Sequence, residues 1–142
     1  MINIKTKSDI EKMREAGRVA NLAQLAVEKA IRPGISTYEL DQIAEKTMRD
    51  NGAIPAEKGY PSGVKGVPDF PGSICASIND VVIHGIPSKY DVLKEGDIIS
   101  VDVKNENQTI AQQLKNFFYT VVGKDTYIIA ASSGGLVTVT GK

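Results

Sequence analysis

Between Phe70 and Val103, short apolar runs alternate with turn-forming residues, a pattern that indicates β-structure. The same stretch contains the only cysteine of the chain, Cys75, the only histidine, His84, and an aspartate, Asp102, inside an apolar run. A carboxylate in such a run must be hydrogen-bonded, paired or bound to a cation, because an isolated buried charge is costly. The functional side chains are therefore expected in this stretch.

Three of the apolar runs are predicted to be strands. Ser73–Ile78 and Val81–His84 are expected to form a hairpin across the turn-prone pair Asn79-Asp80, and Ile98–Val103 follows as a third strand. Alternation along this third strand predicts one apolar face and one mixed face, with Ile99, Val101 and Val103 on the first and Ile98, Ser100 and Asp102 on the second. Further strands are predicted at Phe117–Val122, Tyr127–Ala131 and Leu136–Val139.

Two helices are predicted before the strands, each opened by a capping box. The first begins at Ser8-Asp9-Ile10-Glu11 and stops at Pro33-Gly34, and the second begins at Ser36-Thr37-Tyr38-Glu39. Ala53–Gly72 contains four prolines and four glycines, so it is expected to be a loop and a candidate pocket wall. The order of the elements predicts an α+β fold, with two helices packed on one side of a largely antiparallel sheet.

Composition argues against several partners and environments. The chain has 17 basic and 17 acidic residues, and this zero net charge gives no reason to expect nucleic acid or an anionic membrane as partner. We find no apolar run long enough to span a bilayer and no secretory signal pattern at the N-terminus. A single cysteine cannot form an internal disulfide, which predicts a cytoplasmic protein.

The reactive residues each admit more than one interpretation. Asp102 could accept backbone N–H bonds or pair with a lysine, and it could also bind a cation. His84, at a predicted strand end, is a candidate structural residue, metal ligand, proton shuttle or hydrogen-bond donor to a substrate carbonyl. The surroundings of Cys75 in the sequence favour a buried, inert thiol. The alternative, a cysteine nucleophile, would need a histidine base such as His84.

The segments DFPGSICASINDVVIHGIP and LKEGDIISVDV resemble the first half of a type I methionine aminopeptidase, and RPGISTYELDQIAEKTMRDNGAIPA resembles that family's second helix. This resemblance implies that residues 1–103 are the N-terminal half of a pita-bread (creatinase/aminopeptidase-like) fold and that residues 104–142 are a divergent β-rich tail. It also implies a metalloexopeptidase that removes the initiator methionine from nascent proteins. The implied partner is the N-terminus of a peptide or nascent protein.

The resemblance assigns roles to four residues. Asp102 would be a ligand of a two-metal site, His84 would contact the substrate near the scissile bond, and Phe70 and Cys75 would line the pocket for the methionine side chain. Two divalent ions (cobalt, manganese, iron or zinc) would polarise the peptide carbonyl and lower the pKa of a bridging water.

Most of the implied metal ligands have no counterpart in the sequence. The second aspartate is expected near Ala111–Leu114, which contains no carboxylate, and the acidic residues after Asp102 are Glu106 and Asp125. We therefore expect little or no aminopeptidase activity from this polypeptide alone. Two alternatives follow: a non-catalytic peptide- or protein-binding module on half of the scaffold, and a homo-oligomer in which two half-domains pair about a two-fold axis.

Overall fold

The computed structural model describes residues 4–105 in full and, beyond them, the backbone of three strands. In chain order the elements are α1 (Lys7–Ala30), α2 (Thr37–Asp50), β1 (Ile74–Ile78), β2 (Ile98–Val103), β3 (Phe117–Val121), β4 (Ile128–Ser132) and β5 (Gly135–Thr138). The strands form one sheet in the order β1-β2-β3-β4-β5, and every neighbouring pair is antiparallel. The predicted α+β class is confirmed, whereas the division of the chain at residue 103 stays a prediction.

The two helices cover one face of the β1–β2 ribbon. The apolar residues of β2 that alternation assigns to one face are all buried in the same core as the helices, which confirms that prediction. This core contains Val19, Ala23, Val27, Leu40, Met48, Ile74, Ala76, Ile99, Val101 and Val103. None of the described helices is long and apolar enough to cross a membrane. Burial of the apolar face leaves the opposite face of β1 and β2 for polar side chains.

The capping box predicted for α2 is confirmed, but the one predicted for α1 is shifted by two residues. Ser36 caps α2, since its hydroxyl accepts the Glu39 N–H at 3.2 Å. In α1 the N-cap is Thr6, whose hydroxyl accepts the Asp9 N–H while the Asp9 carboxylate accepts the Thr6 N–H at 3.0 Å. Ser8 therefore lies inside the helix. With Thr6 as the N-cap, the N3 position of the capping box is Asp9 and not the expected Glu11.

Replacing Thr6 with alanine should lower the free energy of unfolding by about 1 kcal/mol, because the first turn of α1 then loses its side-chain acceptor. Ser8→Ala is the matched control and should change stability by less than about 0.5 kcal/mol. Urea unfolding followed by circular dichroism measures both. A larger loss in Ser8→Ala than in Thr6→Ala would favour the cap predicted from the sequence.

Val81–His84 was predicted to be a strand, and this prediction is wrong. β1 pairs with β2 instead, and residues 81–84 are exposed and belong to no strand. The physical reason lies at Asn79, which adopts a left-handed backbone with φ 52°. Its N–H donates to the carbonyl of Ile98 at 2.9 Å and its side-chain oxygen accepts the Ile98 N–H at 3.0 Å. These two bonds attach the turn to β2, so the chain does not fold back on β1 as a hairpin.

Candidate functional site

The face of β1 and β2 that points away from the helices carries small polar side chains. Cys75 lies directly opposite Asp102, and Ser77 lies directly opposite Ser100. All four residues are buried. The structure thus brings together two of the residues singled out in the sequence, a thiol and a carboxylate, on one buried polar surface. This surface is called the polar face below.

The segment that carries His84 is fixed to the outer edge of β1. The Gly85 carbonyl accepts the Ala76 N–H at 2.9 Å, and the Gly85 N–H donates to the Ser77 hydroxyl at 3.0 Å. A β-carbon at position 85 would lie 2.1 Å from the Ala76 carbonyl oxygen, so only glycine fits there. His84 is consequently held beside the polar face, with an exposed side chain and a left-handed backbone at φ 57°. Such a conformation is uncommon for a residue other than glycine and often occurs at functional sites.

Two further contacts hold the same segment from its C-terminal side. A β-carbon on Gly72 would lie 2.7 Å from the Pro87 ring, so the two residues pack without room for a side chain. Ser88 donates its N–H to the Thr37 hydroxyl at 2.9 Å, and that hydroxyl donates back to the Ser88 carbonyl at 3.1 Å. The His84 segment is therefore attached to both the sheet and the start of α2.

The predicted loop at Ala53–Gly72 is confirmed, and Phe70 lies in its last part. The Phe70 N–H donates to the Tyr60 carbonyl at 3.0 Å, and the Phe70 carbonyl accepts the Gly59 N–H at 2.8 Å. The Phe70 side chain is half-buried, and the ammonium of Lys104 lies 5.8 Å from the centre of the Tyr60 ring. The contact between Lys104 and Tyr60 thus links the loop with Phe70 to the end of β2. A pocket shared by Phe70 and Cys75 stays a prediction.

Asp41 is a buried carboxylate that the sequence interpretation missed. Its Oδ1 accepts the N–H groups of Ser73 at 2.6 Å and Ile74 at 3.1 Å, and the residue is 2% exposed. Burial raises the pKa of Asp41 above its ordinary value, and the two backbone donors offset part of this rise. The carboxylate fixes the start of β1 to α2. Its signal in the sequence is an acidic residue directly after Leu40 in the apolar stripe of a helix.

The described side chains do not by themselves fit a two-metal centre. Within residues 4–105, no three histidine, cysteine, aspartate or glutamate side chains are grouped closely enough to hold a metal ion. In that part of the chain, the polar face offers the Asp102 carboxylate and the Cys75 thiol as metal-binding groups. A pair of divalent ions needs several carboxylate or imidazole ligands. The described part of the chain could therefore contribute to such a centre but does not complete it.

Comparison with known proteins gives consistent matches over most of the chain. The pattern described as Metallopeptidase family M24 matches residues 11–127. The methionine aminopeptidase of Clostridium acetobutylicum is 51% identical over 102 residues, which are 72% of this chain and 38% of the relative. Methionine aminopeptidase 1 of Bacillus subtilis is 50% identical over 103 residues, with the same two shares.

Solved structures agree with the sequence matches. The methionine aminopeptidase of Thermotoga maritima superposes with a TM-score of 0.66 at 30% identity, over 94% of this chain and 46% of that one. That of Rickettsia prowazekii superposes with a TM-score of 0.65 over 96% of this chain and 47% of that one. The chain thus spans less than half the length of each of these four proteins.

Proposed function

Because the chain belongs to metallopeptidase family M24, we propose that the polar face and the His84 segment form part of a methionyl aminopeptidase-like metalloexopeptidase site. The resemblance to the methionine aminopeptidases and the pita-bread type of fold, both predicted from the sequence, are confirmed. For this chain we propose that the site holds the methionine end of a peptide or nascent protein. The reaction proposed for the complete site is removal of that methionine by two-metal hydrolysis.

The observation that supports this proposal is the arrangement of the polar face. Cys75 and Asp102 face each other across β1 and β2, and the docked Gly85 holds His84 beside the same strand. A carboxylate, a soft apolar thiol and an imidazole that can donate a hydrogen bond are thereby placed around one part of the sheet. The carboxylate and the imidazole can bind the polar end of a peptide, and the thiol can pack against a thioether side chain.

We assign the roles within the site as follows. Asp102 contributes one ligand to a divalent ion, and the family implies the use of such ions. The ion proposed here is cobalt, manganese, iron or zinc, which bind oxygen and nitrogen ligands. His84 donates a hydrogen bond to the peptide near its first bond, and Phe70 and Cys75 contact the methionine side chain.

We propose that the 142-residue polypeptide binds peptides but does not hydrolyse them unaided. The side chains described in residues 4–105 supply few metal ligands, and the sequence offers one histidine in total. The same observation favours a second function, that of a non-catalytic peptide- or protein-binding module. Hydrolysis of Met-Ala-Ser by the purified chain with added Co²⁺ or Mn²⁺ would contradict the proposed inactivity of this polypeptide and would also exclude the second function.

Binding of the peptide Met-Ala-Ser to three variants tests the proposed site. His84→Asn should weaken binding about three- to tenfold, because the hydrogen bond is lost while asparagine tolerates the left-handed backbone. Asp102→Asn should remove any increase in affinity that Mn²⁺ produces in the wild type. Asp50→Asn, at the exposed end of α2, should change neither quantity. Wild-type affinity and metal dependence in both His84→Asn and Asp102→Asn would refute the proposal.

We also propose that the protein is cytoplasmic and self-associates. The single cysteine supports a reducing compartment. Within the described strands β5 pairs with β4 alone, so its other side can accept a strand from a second copy. Sedimentation of the purified chain as a dimer or larger species is expected, and a monomer at all concentrations would contradict self-association.

A further inference from the structure

Ser77 is a buried residue of the polar face that contacts the backbone directly after His84. Its hydroxyl accepts the N–H of Gly85 at 3.0 Å, and the residue is 4% exposed. Gly85 is itself buried, so its N–H needs an acceptor within the protein. In a regular strand pair this acceptor would be a backbone carbonyl. Here the side chain of Ser77 takes the place of that carbonyl.

The N–H that Ser77 accepts belongs to the peptide group that joins His84 to Gly85. Because a peptide group is planar, holding it in one orientation restricts the backbone angle ψ of His84. The other hydrogen bond between Gly85 and β1 runs from the Ala76 N–H to the Gly85 carbonyl at 2.9 Å. That carbonyl belongs to the next peptide group along the chain. Ser77 is therefore the residue of β1 whose contact acts on the backbone of His84 itself.

The chain just before His84 has few other fixed points. Val81 donates its N–H to the Ile78 carbonyl at 3.0 Å, but within residues 4–105 no hydrogen bond involves residues 82–84. These three residues are also exposed. His84 nevertheless has a φ of 57°, a backbone conformation that the surrounding structure must impose on a residue other than glycine. The bond from Gly85 to Ser77 is the nearest described contact that can impose it.

We propose that Ser77 is a positioning residue, which holds His84 in its left-handed conformation by accepting the Gly85 N–H. This inference rests on the proposed function, because His84 is the residue assigned to the peptide. Ser77 acts on the peptide through His84 and not by direct contact. Loss of the Ser77 hydroxyl should therefore release the backbone at Gly85, and it should weaken peptide binding only while residue 84 is a histidine.

The test is a double-mutant cycle on the full chain, with the affinity for Met-Ala-Ser measured by calorimetric titration. Ser77→Ala removes one oxygen without adding an atom that could clash, and it should weaken binding about three- to tenfold. His84→Asn should weaken binding to a similar extent. In the variant that carries both substitutions, the affinity should lie less than about twofold below that of His84→Asn alone.

Amide hydrogen exchange, followed by NMR, separates positioning from a general loss of stability. In Ser77→Ala the Gly85 amide should exchange about tenfold faster than in wild type, because its acceptor is lost. The Ile74 amide, which Asp41 accepts at 3.1 Å, should exchange at its wild-type rate. Ser73→Ala is the matched control, since it removes another buried serine hydroxyl directly before β1. It should change neither the exchange of Gly85 nor the peptide affinity.

Three results would overturn the role of Ser77 and leave the proposed function standing. The first is wild-type affinity for Met-Ala-Ser in Ser77→Ala while His84→Asn binds more weakly. The second is a further loss of three- to tenfold, about that of Ser77→Ala itself, when both substitutions are combined. The third is equal acceleration of exchange at Gly85 and Ile74. Failure of wild type to bind Met-Ala-Ser would overturn both the role of Ser77 and the proposed function.

Discussion

Replacing Gly85 with alanine is expected to lower the free energy of unfolding by at least about 3 kcal/mol, the upper range for overpacking at a rigid site. The added β-carbon would lie 2.1 Å from the Ala76 carbonyl oxygen and 2.8 Å from the Ser77 α-carbon. Both are backbone atoms of β1, so no side-chain rotation can relieve the contact. The His84 segment must therefore detach from the strand or displace it.

The measurement is urea unfolding of the variant, with peptide affinity measured in parallel. The variant should also bind Met-Ala-Ser more weakly, because detachment of Gly85 moves His84. Gly17→Ala is the matched control, since a β-carbon at this position in α1 contacts no atom within 4 Å outside the local helix backbone. Alanine there should stabilise the helix by about 1 kcal/mol. Equal unfolding midpoints for Gly85→Ala and wild type would contradict the docking described here.

The second large effect is expected at Asp41. Asp41→Ala removes the acceptor of two buried N–H groups, those of Ser73 and Ile74, and should destabilise the fold by about 3 kcal/mol. Asp50→Ala, in the exposed last turn of the same helix, should change stability by less than about 0.5 kcal/mol. Chemical denaturation of the two variants under identical conditions gives the comparison. A small effect in both would mean that β1 does not depend on α2 for its first hydrogen bonds.

The pH dependence of Asp41→Asn tests the same contact without creating a cavity. Burial raises the pKa of Asp41 above 3.8, so between 3.8 and the raised value the folded state keeps a proton that the unfolded state has lost. The contribution of Asp41 to stability is therefore greatest below 3.8 and decreases as the pH rises through the raised pKa. The stability of wild type minus that of the variant should decrease as the pH rises from below 3.8 toward neutral pH. An increase over this range would contradict the raised pKa.

The sequence was sufficient to predict the elements whose pattern is local. The capping box at Ser36 and Glu39 starts α2 as expected, and alternation in Ile98–Val103 assigns the buried face of β2 correctly. Val81–His84 has the composition of a strand but does not form one. The reason is that side-chain and backbone hydrogen bonds between Asn79 and Ile98 attach the turn to β2. These bonds join residues 19 apart. Strand propensity depends on residue type and local sequence, so it cannot predict hydrogen bonds between segments so far apart.

The arrangement of the candidate site could not be predicted from local sequence either. Cys75, His84 and Asp102 could be named as reactive groups from their residue types. Their arrangement depends on the pairing of β1 with β2, which the predicted hairpin did not contain. The role of Asp41 could not be predicted either, because it depends on a contact with a distant segment of the chain.

The most direct test of the proposed site is a titration of ¹⁵N-labelled protein with Met-Ala-Ser, followed by NMR. If the polar face beside His84 holds the peptide end, the amide resonances of Cys75, Gly85 and Asp102 should shift in a saturable manner. Those of Arg14 and Arg18, on the exposed side of α1, should stay in place. Saturable shifts confined to α1, or no shifts at any peptide concentration, would contradict the assignment of the site.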